Sequence, residues 1–167
     1  MIRKKICMLG AYAVGKTSLV RRFVEDTFSD RYKTTIGVRI LRKPLVLDDV
    51  EITLILWDLH GDDEFQVVQT SYLRGASGYL LVADGTRAET LDTAERLQRV
   101  ATESIGPAPF QLLVNKEDLA SQWELEQGFE QRFGEWDVQR TSAKTGDGVE
   151  EAFRGLTRRM LAASDTA

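Results

Sequence analysis

Short apolar runs alternate along the chain with stretches in which hydrophobic residues recur at helical spacing. The runs suit strands, and those that are apolar throughout are typical of strands buried on both faces of a sheet. Six runs predict strands, at Ile6–Leu9, Val38–Leu47, Val50–Trp57, Gly78–Ala83, Phe110–Val114 and Asp137–Thr141. Asp48 and Asp49 separate the second run from the third and predict a tight hairpin turn.

The intervening stretches predict amphipathic helices. Lys16–Glu25 carries Leu19, Val20 and Phe23 on one face, and a shorter helix is expected around Glu124–Phe133. Two further stripes consist of Leu91, Ala94, Leu97, Ala101 and Ile105, and of Val149, Ala152, Phe153, Leu156 and Met160. Because strands alternate with helices, we expect an α/β fold with a mostly parallel sheet.

Composition narrows the picture to one ordinary globular domain spanning residues 1–167. The chain has 167 residues, of which 43% are hydrophobic and 29% are charged. No apolar run approaches the roughly 20 residues of a membrane-spanning helix. The single cysteine, Cys7, excludes an internal disulfide framework and favours a reducing, cytoplasmic setting. A net charge of −4 supplies no basic face, so we expect no nucleic-acid partner.

A glycine-rich segment between the first strand and the first helix carries the clearest chemistry. Gly10-Ala-Tyr-Ala-Val-Gly15-Lys16-Thr17 fits the phosphate-binding pattern G-x-x-x-x-G-K-[ST]. Glycines let successive backbone N–H groups turn towards phosphate oxygens, and the helix N-terminus adds its positive dipole end. In such a loop Lys16 reaches the β- and γ-phosphates, and the Thr17 hydroxyl ligates Mg²⁺.

Two polar segments that follow later strands predict which base is read. Asn115-Lys116-Glu117-Asp118 follows the fifth apolar run, at the edge where doubly wound sheets bind ligands. The Asp118 carboxylate is suited to accept hydrogen bonds from N1–H and the amine of guanine, a donor pair that adenine lacks. Lys116 can lay its stem along the base, and Asn115 can tie loops together. Ser142-Ala143-Lys144 follows the last strand, where backbone amides can meet the guanine carbonyl oxygen.

Another carboxylate closes the third apolar run. Asp58 stands at a strand end that faces the phosphate loop, so it is placed to hold Mg²⁺ or a water bound to it. The N–H of Gly61 is placed to bond the γ-phosphate. Asp-x-x-Gly is also a common turn, so a purely structural role stays open.

The four motifs, in this order and each at a strand end, resemble those of the small GTPases of the Ras superfamily, and most of all its Rab-like branch. The likeness runs from about Lys4 to Met160 and includes Thr35–Val38, Tyr72–Ala76 and Thr141–Gly146. The resemblance implies a P-loop small G domain of the α/β class, with a six-stranded, mostly parallel sheet, one antiparallel edge strand and five flanking helices. It also implies bound GTP or GDP and Mg²⁺.

The resemblance assigns roles to individual residues. Nucleotide contacts fall on Gly10, Ala13, Val14, Gly15, Lys16, Thr17, Ser18, Phe28, Tyr32, Thr35, Gly61, Asn115, Lys116, Asp118, Ser142, Ala143 and Lys144. Phe28 matches the aromatic that packs on the guanine ring, and Tyr32 matches one that closes over the phosphates. The metal set is Thr17, Thr35 and Asp58, with Thr35 engaged only when the γ-phosphate is present. Catalysis is assigned to Lys16, Thr35, Gly61 and Asp62.

Two segments are expected to respond to the nucleotide and to meet effector or regulator proteins, namely Tyr32–Val38 and Asp58–Arg74. Ile40, Trp57 and Tyr72 match an apolar partner-reading surface of Rab-like proteins, with isoleucine where an aromatic is usual. Core packing is the alternative role for these three side chains.

Three residues depart from the family pattern. Asp62 stands where a glutamine usually orients the attacking water; it accepts hydrogen bonds only when ionised and brings a negative charge towards the γ-phosphate, so slow hydrolysis is expected. His60, the one histidine, is either an exposed switch residue or a surrogate water-positioner or pH-sensitive contact. Tyr12 either obstructs an arginine supplied by a partner or folds outward.

These observations favour a GTP-binding switch with slow hydrolysis over two alternatives. A pseudo-GTPase scaffold that holds GTP without useful turnover is kept open by Asp62 and Tyr12. A small P-loop kinase is disfavoured, because no arginine-rich lid is evident and two motifs read guanine. The C-terminus shows no prenylation cysteine and Met1 is not followed by glycine, so no lipid anchor is expected; either the sequence is truncated or the protein works in the cytosol, and a free-standing prokaryotic member of the family would look like this.

Overall fold

A six-stranded sheet runs through the centre of the molecule. The structure is a computed structural model and describes residues 1–29, 37–59 and 70–165. The strands are β1 (Ile2–Gly10), β2 (Val38–Leu47), β3 (Val50–Leu59), β4 (Gly78–Asp84), β5 (Phe110–Asn115) and β6 (Val138–Arg140). Their spatial order is β2-β3-β1-β4-β5-β6. Among these described strands only the β2–β3 pair is antiparallel, which confirms the predicted sheet and its antiparallel edge strand.

Helices flank the sheet as predicted. Within the described ranges these are α1 (Lys16–Glu25), α2 (Glu89–Ile105) and α3 (Val149–Asp165), with 3-10 turns at Thr70–Leu73, Glu117–Gln122 and Phe129–Phe133. The helix expected around Glu124–Phe133 is wrong in its first half, because Gly128 has a φ of 82° and so interrupts any right-handed helix there. None of the helices in the described part of the chain is both long and apolar enough to cross a membrane.

Each face of the sheet has its own hydrophobic core. β1 illustrates the division, since Ile6 and Met8 join one cluster while Cys7 and Leu9 join the other. α1 and α3 cover the first face, where the rings of Phe23 and Phe153 stack with centroids 4.1 Å apart. α2 covers the second face with its predicted apolar stripe. The central strands are therefore buried on both sides, as their unbroken apolar runs predict.

The hairpin that joins β2 to β3 projects at one edge of the sheet. Asp48 and Asp49 both have positive φ angles, 50° and 66°, which is the geometry of a type I′ turn. β2 is the edge strand and contains Pro44. Arg154 of α3 donates a hydrogen bond of 3.2 Å to the carbonyl oxygen of Val46, so the last helix anchors this edge.

The carboxyl ends of the parallel strands meet at one edge of the sheet. Gly10 ends β1, Asp58 lies one residue from the end of β3, and Asp84 and Asn115 end β4 and β5. Asp84 and Asn115 are paired across the sheet. Three of the predicted motifs therefore reach this edge, and the fourth, Ser142–Lys144, begins two residues after the end of β6 at Arg140, at the same edge, where ligands of open α/β sheets bind.

Candidate nucleotide-binding site

The phosphate loop bends through two residues with left-handed backbone angles. Ala13 has a φ of 62° and Gly15 a φ of 102°. A Cβ atom on Gly15 would lie 2.4 Å from the side-chain nitrogen of Asn115, and one on Gly10 would lie 2.4 Å from the carbonyl oxygen of Val82. Close packing therefore requires both glycines of the motif. Ala13, by contrast, has a Cβ, and its left-handed backbone conformation costs about 1–2 kcal/mol relative to a right-handed one.

Positive charge is concentrated beside this loop. The Lys16 side chain is 5% exposed, and its Nζ donates to the carbonyl oxygens of Ala11 at 3.1 Å and Gly10 at 3.3 Å. Lys16 is also the first residue of α1, whose N-cap residue, Gly15, has no side chain to cap the first turn. The ammonium group and the helix dipole thus act on the same small volume, which favours an anion there.

A buried carboxylate faces the start of α1. Asp58 is fully buried, and its Oδ2 accepts a hydrogen bond of 2.6 Å from the Thr17 hydroxyl. Its Oδ1 has no hydrogen-bond partner among residues 1–29, 37–59 and 70–165. Burial raises the pKa of Asp58, and the Thr17 hydrogen bond and the Lys16 charge offset this only in part.

This pair fits the predicted metal site. A buried carboxylate oxygen that lacks a partner is costly, and a hard divalent cation beside it would supply the missing interaction. The described residues contain no cluster of three or more His, Cys, Asp or Glu side chains that would form an all-protein metal site. Mg²⁺, which is commonly held by one or two protein oxygens plus substrate phosphates, suits this donor set better than a metal that needs a full protein cage.

Asn115 joins the loop after β5, which is predicted to read the base, to its neighbours. Its side chain is 2% exposed, and its Nδ2 donates to the Val14 carbonyl oxygen at 3.0 Å. Its Oδ1 accepts from the Thr141 hydroxyl at 3.1 Å and from the Ala143 amide at 3.3 Å. One buried amide thus ties the phosphate loop, the loop after β5 and the loop after β6, as predicted for this residue.

Lys116 lies between the two loops. Its backbone has a φ of 73°, and its Nζ donates to the Ala13 carbonyl oxygen at 3.2 Å. The same ammonium pairs with Asp84 Oδ2 at 2.7 Å. Burial raises the pKa of Asp84, but hydrogen bonds from Lys116 and Thr86 outweigh it and hold the pKa below its ordinary value. Asp84 is therefore an ionised counter-charge for Lys116.

Asp118 and Ser142 lie in the two segments predicted to read the base. The Ser142 hydroxyl is buried, accepts a hydrogen bond from the Thr145 amide at 3.1 Å and donates one to Asp118 Oδ1 at 2.8 Å. Asp118 itself is exposed, so its carboxylate is accessible to a base while its orientation is fixed from behind. This positioning role of Ser142 was not apparent from the sequence, where only backbone contacts were expected from its segment.

Arg22 of α1 holds the segment after β6 from the other side. Its Nε donates to the Ala143 carbonyl oxygen at 2.8 Å, and its Nη2 donates to that of Lys144 at 2.6 Å. Because these carbonyls are occupied by Arg22, the segment keeps one fixed orientation against the site. Sequence reasoning missed Arg22, since nothing in a helical arginine indicates contacts with backbone carbonyls.

Three further residues were missed. Asp84 is fully buried and ends β4. The pattern that pointed to Asp58, a carboxylate at the end of an apolar run, could have found it. Arg87 donates to Asp84 and to the carbonyl oxygen of Tyr12. Trp123 donates from its indole nitrogen to the Lys116 carbonyl oxygen at 2.8 Å, and its ring lies where a Cβ on Gly85 would be only 2.1 Å away.

Several predicted site residues lie outside the described ranges. These are Tyr32, Thr35, His60, Gly61 and Asp62, together with most of the two segments expected to respond to the nucleotide. Of the predicted catalytic set, the structure therefore places Lys16 alone. Phe28 and Tyr12 are each 36% exposed, so both rings are accessible from solvent.

The three residues predicted to read partners lie side by side. Ile40 pairs with Trp57 across the β2–β3 ladder, and the rings of Trp57 and Tyr72 are 6.1 Å apart. Ile40 is 50% exposed, whereas Trp57 and Tyr72 are partly buried against the core under α2. The Lys5 ammonium lies 3.5 Å above the Trp57 ring. The cluster thus combines core packing with an accessible apolar surface, and its role in reading partners stays a prediction.

Comparison with known proteins gives a consistent result. The sequence model of the Ras family matches residues 5–162. The chain is 36% identical to the rat Ras-related protein Rab-7L1, over 94% of this chain and 81% of that protein. It is 34% identical to the Ras-related protein Rab-7a of Dictyostelium discoideum, over 96% and 84% of the two chains. It is also 34% identical to the Ypt/Rab-type GTPase ypt7 of Schizosaccharomyces pombe, over 97% and 84%.

Proposed function

The chain belongs to the Ras family, and from this we propose that it is a GTP-binding molecular switch that uses Mg²⁺ and alternates between GTP and GDP states. The observation that carries the proposal is the bond from Asn115 Nδ2 to the Val14 carbonyl oxygen. It joins a phosphate-binding loop to a base-reading loop through one buried group. A phosphate site alone would need no such connection.

The selectivity for guanine rests on Asp118. Asp118 is exposed, and its carboxylate is oriented by the Ser142 hydroxyl. An ionised carboxylate only accepts hydrogen bonds, and guanine offers N1–H and an amine where adenine offers an acceptor and an amine. We propose that Lys116, Ser142, Ala143 and Lys144 also contact the base and that the Phe28 ring packs against its face.

Binding of phosphates and metal draws on the loop and on α1. The amides from Ala13 to Ser18 and the Lys16 ammonium would hold the phosphates, and Thr17 and Asp58 would hold Mg²⁺ or its water. When bound, Mg²⁺ neutralises charge that builds up on the phosphates. Thr35 and Gly61 are proposed to join when the γ-phosphate is present.

We further propose that hydrolysis of GTP to GDP and phosphate is slow. Asp62 occupies the place of a water-orienting glutamine and carries a charge that repels the γ-phosphate. The alternative, favoured by the same residue, is a pseudo-GTPase scaffold that binds GTP without useful turnover. The name of the fission-yeast relative, a Ypt/Rab-type GTPase, supports turnover.

The cellular setting is also a proposal. Effector or regulator proteins would bind through Tyr32–Val38, Asp58–Arg74 and the cluster of Ile40, Trp57 and Tyr72. Several expectations stay predictions from the sequence: one domain over residues 1–167, a cytoplasmic location, a prokaryotic source and no nucleic-acid partner.

The nucleotide that copurifies with the protein tests the proposal. We expect heat-released GDP or GTP at close to one equivalent, and displacement of fluorescent GDP by GDP and GTP but not by ATP. Asp118→Ala should lose this preference, whereas Glu117→Ala, its neighbour in the same loop, serves as the matched control. Equal displacement by ATP and GTP, or copurified adenine nucleotide, would refute the guanine assignment.

A further inference from the structure

We propose that Arg87 is a positioning residue for the phosphate loop, acting on the Tyr12 carbonyl group with the support of the buried Asp84. The inference rests on the proposed function, because it concerns how the loop is shaped to receive the phosphates of a guanine nucleotide. Arg87 is not part of any of the motifs that identify the site.

Arg87 completes a network of one anion and two cations. Its Nη2 donates to the Tyr12 carbonyl oxygen at 2.7 Å, and its Nε donates to Asp84 Oδ2 at 3.1 Å. The same Asp84 oxygen pairs with Lys116 Nζ at 2.7 Å, and Lys116 in turn donates to the Ala13 carbonyl oxygen at 3.2 Å. One buried carboxylate therefore orients two cations, each of which holds one of two consecutive carbonyl groups.

These two carbonyls belong to the peptide units on either side of the Ala13 Cα atom. In a trans peptide the C=O and the following N–H point in opposite directions. Arg87 therefore fixes the direction of the Ala13 N–H through the Tyr12 carbonyl, and Lys116 does the same for the Val14 N–H. Both carbonyls are held by side chains from the loops after β4 and β5. Both N–H groups therefore point away from those two loops, to the side of the phosphate loop that would receive the phosphates.

The network also accounts for the backbone of Ala13. A residue with a Cβ rarely adopts a φ of 62°, and such conformations persist where surrounding contacts fix them. Two charge-assisted hydrogen bonds to the flanking peptide units provide that constraint. Without Arg87, only the Lys116 bond of these two would remain, and Ala13 could relax to a right-handed conformation.

Arginine is suited to this task in a way that lysine is not. Its planar fork presents Nε to the carboxylate and Nη2 to the carbonyl at once, whereas a lysine ammonium is a single compact charge. Arg87→Lys should therefore recover the ion pair with Asp84 and only part of the hold on Tyr12.

The test compares ligands with and without the β-phosphate. Titration calorimetry of the nucleotide-free full chain would give affinities for GDP and GMP in the wild type, Arg87→Ala and Arg87→Lys. Arg132→Ala is the matched control, because Arg132 pairs with Asp92 and Glu95 of α2 and these ion pairs involve no residue of the phosphate loop.

We expect Arg87→Ala to weaken GDP binding about tenfold and GMP binding much less, with Arg87→Lys in between. The control should leave the ratio of GDP to GMP affinity unchanged. A general loss of folding would weaken both ligands together, and melting temperatures would report it. In an Ala13→Gly background, where positive φ carries no strain, Arg87→Ala should cost only about two- to threefold.

An unchanged ratio of GDP to GMP affinity in Arg87→Ala would overturn this inference while leaving the proposed function intact. An equal effect of Arg87→Ala with and without the Ala13→Gly substitution would also contradict it. If the wild type binds neither GDP nor GTP, the proposed function itself fails.

Discussion

The side-chain nitrogen of Asn115 lies 3.0 Å from the carbonyl oxygen of Val14, within a network that also takes in Thr141 and Ala143. Three segments far apart in the sequence therefore depend on one buried amide. A change in this amide affects the phosphate loop and the loops after β5 and β6 together, so we expect recognition of the base and of the phosphates to be coupled.

Asn115→Ala should accordingly destabilise the protein and release nucleotide. It leaves the Val14 carbonyl, the Thr141 hydroxyl and the Ala143 amide without their partner, at about 1–3 kcal/mol for each group that stays unsatisfied. We expect a lower free energy of unfolding in urea and much faster dissociation of labelled GDP. Gln98→Ala, which removes a partly exposed amide on α2, is the control; equal behaviour of the two variants would contradict the coupling.

Asp118→Asn should change the base that is bound. The substitution replaces one acceptor by a donor, which matches the carbonyl that xanthine carries in place of the guanine amine. Competition of labelled GDP or XDP against GTP, XTP and ATP measures the preference. Ser142→Ala should weaken GTP binding and leave the order of bases unchanged, because it removes a support of Asp118 rather than the carboxylate. Retention of guanine selectivity in Asp118→Asn would count against this assignment.

Thr35→Ala should separate the two nucleotide states. Thr35 is predicted to reach Mg²⁺ only with GTP, so its loss should leave GDP affinity nearly unchanged and loosen the GTP-bound form. Hydrogen exchange over Tyr32–Val38, with GDP and with a GTP analogue, measures the difference. Identical protection in the two wild-type complexes would mean that this segment is not a nucleotide switch.

Asp62→Gln should speed the hydrolysis of GTP. Wild-type turnover is expected at about 10⁻³ s⁻¹ or below, since the carboxylate repels the γ-phosphate and donates no hydrogen bond to the water. Glutamine restores a neutral donor and acceptor, whereas Asp62→Ala should be nearly neutral. Single-turnover assays of the three proteins decide the matter. If Asp62→Ala instead abolishes a brisk wild-type rate, Asp62 is itself the water-positioner.

Cys7 should make the protein less stable at high pH. Burial raises the pKa of its thiol to about 11, and the nearby Lys5 charge offsets only part of the shift. The unfolded thiol loses its proton near pH 8.5 while the folded one keeps it, so this contribution to stability is full below about pH 8.5 and declines towards pH 11. The loss should reach about 3 kcal/mol, and Cys7→Val should flatten this part of the urea-unfolding profile. An identical profile in the variant would show that other groups set it.

The sheet could be predicted because its strands are buried on both faces and therefore read as unbroken apolar runs. β1 begins earlier than predicted, at Ile2, because its first half is only partly buried and its polar residues hide the strand. The helix predicted around Glu124–Phe133 is wrong in part, because Gly128 and the contacts of Trp123 impose an irregular path. Such tertiary constraints leave no periodic signal.

The residues of the candidate site likewise fall into those that the sequence predicts and those that it does not. Lys16, Asn115, Asp118 and Asp58 could be predicted because their chemistry requires particular side chains at fixed spacing beside a strand end. Arg22 and Arg87 could not, since they act on backbone carbonyls of distant segments, and any arginine in a suitable place would serve. A spacing rule has nothing to detect in such contacts.

The anchored edge of β2 bears on how the protein behaves at high concentration. An outer strand offers hydrogen-bonding groups to other molecules, and long flat edges of this kind seed aggregation. Pro44 lacks the N–H that a neighbouring strand would need, and Arg154 already occupies the Val46 carbonyl oxygen. Intermolecular strand pairing is thereby interrupted in the middle of β2 and again near its hairpin, so crowded solutions of the protein should resist growth of sheets from this side.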